Sequence, residues 1–136
     1  MRLRVVPLLV LASLAGCANR YVTRGADLYA DGHYIEAAEV FERTESRLPQ
    51  ASSGDRARYG LYRGATLLAL GDTLRAGNWL SYTLEIVRND PSALSDEEST
   101  MLRRALTLAS TPRTVRPVTS AATAVAAGQT GSLPGN

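Results

Sequence analysis

The apolar positions of this chain recur in helical steps, and they do so twice. Ala37, Phe41, Thr44 and Leu48 follow steps of four, three and four, and Ala76, Leu80, Thr83 and Val87 repeat that stripe 39 residues later. Such spacing predicts helices that turn one face towards a neighbour. The segment before each carries two stripes. Tyr21, Gly25 and Leu28 run beside Val22, Ala26 and Tyr29; Gly60, Gly64 and Leu67 run beside Leu61, Ala65 and Leu68. A helix with two apolar stripes is covered on two sides, or is covered on one and offers the other to a ligand. The pattern predicts an all-α chain with two helical hairpins, at about residues 18–51 and 57–91.

The polar and small residues between the stripes sharpen this picture. Sliding the chain by 39 residues superposes Arg24, Gly25, Ala26, Leu28, Ala30 and Gly32 on Arg63, Gly64, Ala65, Leu67, Ala69 and Gly71. Gly32 and Gly71 fall between paired helices, where a left-handed residue ends the first of them. Gly25 and Gly64 fall inside helices, at a cost of about 1 kcal/mol each relative to alanine. That cost is understandable where another helix must come close, with Ala37 and Ala76 as the expected small surfaces opposite. Pro49 is expected to stop the first hairpin and Asn89-Asp90-Pro91 the second. Ser95 followed by Glu98 is a capping-box signature. It predicts a fifth helix at Asp96–Ser110 with an apolar face of Met101, Leu102, Ala105, Leu108 and Ala109, capping the second hairpin.

The stretch GADLYADGHYIEAAEVFERTESRLP resembles the tetratricopeptide repeat, and GATLLALGDTLRAGNWLSYTLEI is a looser copy. Thr44 and Thr83 stand where that repeat has alanine, and Tyr21 and Gly60 where it has tryptophan. Pro91 comes three residues late, and the spacing of 39 exceeds the usual 34. The surplus is expected in the loop PQASSGD. The resemblance implies an α-solenoid whose first helices line a concave groove that takes a peptide or a partner helix. Tyr29, Arg58, Tyr62 and Leu68 would then face the groove. Tyrosine supplies area with a polar tip, and arginine can grip a carboxylate in bidentate fashion. Two readings stand at this point: an open groove, or one filled by the fifth helix.

The N-terminus carries a different signal. Two arginines in Met1–Arg4 precede an apolar run of about ten residues, Val5–Leu14, and small residues follow. This is the layout of a secretory leader, too short to span a bilayer. The run ends in Leu14-Ala15-Gly16-Cys17, which resembles the bacterial lipobox. That resemblance implies cleavage of residues 1–16 and lipid on Cys17, with two or more acyl chains giving firm anchorage. A cleaved-off thiol or an intermolecular disulfide are the alternatives. Ala18, where lipoproteins retained in the inner membrane commonly have aspartate, implies the outer membrane, periplasmic face.

Composition removes other classes. Every base is arginine, and without Arg2 and Arg4 thirteen arginines face thirteen acids. No clustered positive charge marks a nucleic-acid partner. Cys17 is the only cysteine, so residues 17–110 are expected to hold by packing alone. His33 reads as a turn residue, and Glu36, Glu39, Glu42 and Glu45 as a solvated face, with Glu39 paired to Arg43. Asp96, Glu97 and Glu98 suit the first turn of a helix. No phosphate loop, nucleophile elbow or metal-ligand pattern appears, so neither catalysis nor a cofactor is expected. Residues 111–136, without acid or aromatic residue, are expected to be a disordered tail. The function expected from these features is that of a lipid-anchored adaptor or assembly factor for a protein partner in the envelope. The alternative is a structural or peptidoglycan-associated lipoprotein that makes contact through the tail, at Arg113 and Arg116.

Overall fold

A computed structural model describes residues 16–111. The leader through residue 15 and the tail from residue 112, with Arg113 and Arg116, lie outside the described residues. Five α-helices follow one another: α1 (Gly16–Ala30), α2 (Tyr34–Thr44), α3 (Ser53–Ala69), α4 (Thr73–Asn89) and α5 (Asp96–Ser110). A 3-10 helix, Glu45–Gln50, extends α2, and a 3-10 turn, Pro91–Ala93, precedes α5. There is no strand among the described residues, and the all-α class follows the apolar pattern. α1 packs on α2 and α3 on α4, while α3 also touches α1, α2 and α5 and so forms the centre.

Both helical turns close in the same way. Gly32 and Gly71 have φ of 79° and 85°, the left-handed conformation that glycine adopts without steric penalty. The Gly71 N–H donates to the Leu68 carbonyl and the Asp72 N–H to that of Leu67; Gly32 and His33 make the equivalent bonds to Tyr29 and Leu28. These bonds satisfy the carbonyls that a helix end would otherwise leave without partners. Asp72 then caps α4 by accepting from the Arg75 N–H, at 3.0 Å. His33 has no such capping bond and stands exposed beside Glu36.

The glycines inside helices do mark close approach, but the nearest atoms facing them belong to the large residues of the second helices. A Cβ on Gly25 would run into the ring of Phe41, and one on Gly64 would lie 2.7 Å from Leu80 Cγ. Glycine here makes room for the largest residue of the facing stripe; the Ala76 carbonyl also lies 3.3 Å from the Gly64 Cβ position, as expected of a small facing residue, and Ala37 is buried. Gly60 does the same for Thr83, whose buried hydroxyl donates to the Trp79 carbonyl at 3.0 Å.

The end of the first hairpin also differs from expectation. α2 stops at Thr44, five residues before Pro49, and Leu48 is buried from the 3-10 helix. The surplus in PQASSGD is not a loop. Pro49 and Gln50 finish the 3-10 helix, Ala51 is buried, and Ser52 caps an α3 that starts at Ser53. α5 spans Asp96–Ser110, and both arms of its capping box form between Ser95 and Glu98. It covers α3 and α4 through Leu102 and Ala105, but Leu108, expected on its packed face, is 65% exposed.

Two glycines of α3 and α4 should respond oppositely to alanine. Gly64→Ala drives its methyl group against Leu80 and should cost about 1–3 kcal/mol. Gly77→Ala meets nothing within 4 Å and should gain about 0.5–1 kcal/mol. Circular-dichroism melts should therefore place the first below and the second above the parent midpoint.

Candidate functional site

α1, α3 and α5 run in the same sense, because Tyr21 meets Tyr59, Tyr29 meets Tyr62 and Arg58 meets Glu98. Three roughly parallel helices with α3 in the middle leave a groove along their outer side. It encloses about 1240 Å³. Its floor is one face of α3, namely Arg58, Tyr62, Ala65, Leu68 and Ala69. Tyr29 of α1 forms one wall, and the other runs from Ser95 to Leu108 and includes Thr100, Met101, Arg104 and Ala105. α2 and α4 contribute no residue.

All four residues named from the first-helix stripes, Tyr29, Arg58, Tyr62 and Leu68, are brought together there. Their environments differ. The rings of Tyr29 and Tyr62 meet edge-on at 6.0 Å, and Tyr34 adds a third ring 5.6 Å from Tyr29. The edge-to-face meeting of Tyr29 and Tyr62 suits the ring quadrupoles. Burial raises both hydroxyl pKa values above that of free tyrosine; for Tyr62 the charge of Glu98 adds to the shift. Both therefore remain neutral hydrogen-bonding groups at physiological pH. Leu68 is half-buried against the core under α5, with only part of its side chain lining the groove.

Arg58 is not a free guanidinium. Its Nε donates to Glu98 Oε1 at 2.8 Å, so the residue expected to grip a ligand carboxylate already holds one from α5. The other Glu98 oxygen accepts the Ser95 N–H at 3.0 Å. Burial pushes the Glu98 carboxyl up, but the Ser95 N–H and Arg58 outweigh it and leave the pKa below the usual value. The question of whether the fifth helix fills the groove also has an answer: α5 forms its far wall and leaves it open.

The α5 wall was not anticipated as a surface. Its clue was present, since Met101, Ala105 and Leu108 make a second stripe beside Leu102, Leu106 and Ala109. Glu45 stands exposed, as the solvated face requires, and from there also pairs with Arg63 of α3 at 2.7 Å. Glu39 and Arg43 pair at 2.8 Å as expected. Among the described residues no cluster of His, Cys, Asp and Glu could hold a metal ion, and no helix is long and apolar enough to cross a membrane. Searches of protein-family models, curated proteins and solved structures return no match to this chain.

The lowered Glu98 pKa makes a signed prediction. The stability that Glu98 confers is present in full above about pH 5 and is lost as pH falls through its folded value. Glu98→Gln should melt below the parent at pH 7, and the gap between the two midpoints should narrow as the pH falls below the usual carboxylate range. A constant gap across that range would contradict the coupling.

Proposed function

We propose that this chain is a lipid-anchored envelope protein whose tetratricopeptide-like solenoid presents the α1–α3–α5 groove to a peptide or helix of a protein partner. It acts as an adaptor or assembly factor and catalyses nothing. One observation carries the reading: the groove is lined by the first helix of each hairpin together with α5, and by neither second helix. That alternation is the layout in which stacked helical hairpins make a concave recognition surface. The two schools of residues divide the work, with α2 and α4 building the back and the tyrosine-bearing α1 and α3 facing a ligand. Cys17, in the first turn of α1, would carry the lipid. Anchorage then raises the local concentration of the groove for anything else held at the same membrane.

Two measurements test the two halves of this proposal separately. Cys17→Ser should abolish incorporation of labelled palmitate and leave an unprocessed precursor; normal processing would remove the anchor from the proposal. A photo-cross-linker at Tyr62 or Met101 should give a discrete adduct with one envelope protein in cells, and the same probe at Glu39 or Arg88 on the back should not. Equal labelling from front and back would remove the groove.

A further inference from the structure

The groove has a direction in its charge. At the end where α3 and α5 begin, Arg58 is neutralised by Glu98, and Asp96 and Glu97 line the same end without an ion pair among the described residues. The uncompensated charge there is negative. About two helical turns along the same wall, roughly 10 Å from Glu97 at 1.5 Å per residue, stands the exposed Arg104. Beyond it the lining is apolar, ending at Leu108 and Leu68.

We infer that the groove selects a cationic, amphipathic segment of a partner protein, with its arginine or lysine end at Asp96 and Glu97 and its apolar side chains along Met101 and Leu108. This rests on the groove being a recognition surface and deepens that reading by fixing the chemistry of the occupant. It reverses what the arginine on the groove floor suggests by itself. A free Arg58 would favour acidic ligands, but the Glu98 carboxylate occupies its Nε, and a ligand carboxylate arriving there meets two unpaired acids. Tyr62 supports the same sign, since its neutral ring offers a cation an electron-rich face. Arg104 sets the register: a cation is attracted at the acidic end and repelled half-way along. The apolar end then supplies contact area, and the charged end supplies orientation and partner choice.

The test uses the purified full-length protein and two fluorescent helical peptides with one leucine-methionine stripe, one opening with two arginines and the other with two glutamates. Anisotropy titrations should show the arginine peptide binding about tenfold more tightly, as two exposed ion pairs allow, with the preference shrinking in 0.5 M salt. Asp96→Lys with Glu97→Lys should erase the preference. Glu98→Gln, which releases Arg58, should shift it towards the glutamate peptide. Tighter binding of the glutamate peptide to the parent protein would overturn the inference while leaving the groove as a recognition surface. Binding of neither peptide would remove both. Arg113→Glu with Arg116→Glu addresses the chain's own tail: unchanged affinity supports a separate partner, and tighter peptide binding would make the tail the occupant and overturn the assignment to a partner. Peptide affinity that falls with protein concentration would likewise assign the groove to a second copy and overturn it.

Discussion

The ring of Tyr59 is fully buried edge-on to those of Tyr21, Phe41 and Trp79, so its hydroxyl must find a partner inside the protein. A buried hydroxyl without a partner costs about 1–3 kcal/mol, so the packing of the two hairpins is constrained by where an acceptor can be found. It is the carbonyl of Phe41 in the other hairpin. That carbonyl is available because α2 gives way to 3-10 geometry at Glu45, whose N–H turns to Glu42 instead. Arg63 completes the junction. It donates to the Tyr59 oxygen at 2.9 Å, pairs with Glu45 at 2.7 Å and lies 4.3 Å over the Trp79 ring. Burial pushes the Tyr59 hydroxyl up to about 12, so it remains a donor at any physiological pH. The early end of α2 and the docking of α3 are two sides of one arrangement.

What could be read from the chain beforehand was whatever is decided within a few residues. Helical stripes, the left-handed Gly32 and Gly71, and the Ser95–Glu98 capping box all rest on contacts three to five positions apart, and the fold carries them. Arg58–Glu98 and Glu45–Arg63 are separated by 40 and 18 positions and depend on how helices approach, which no local spacing encodes. Glu45 illustrates the difference. Steps of three from Glu36 put it on an outer face, where it does stand exposed, but they carry no sign of the Arg63 it reaches from there. The groove was half legible for the same reason. Its α1 and α3 residues follow from paired stripes, whereas its α5 wall looked like a cap with nothing left to present.

Glu98 joins these levels. It closes the capping box that starts α5 and, with its other oxygen, holds Arg58 on α3. The wall is thereby fixed in register against the floor by the same carboxylate that stabilises the wall's own first turn. A helix end and an interhelical contact are usually separate features; here one side chain makes the shape of the groove a condition of starting the helix. The cost is that the Nε of the floor arginine is no longer free.

The single tryptophan of the chain has a practical consequence. Trp79 lies in the hairpin junction under Arg63, and α4 contributes nothing to the groove. Its emission therefore reports the docking of the two halves and is blind to occupancy of the open side. A fluorescence trace that changes during unfolding but stays flat during titration would be what this placement dictates, and optical detection of a ligand requires a dye on α1 or α5.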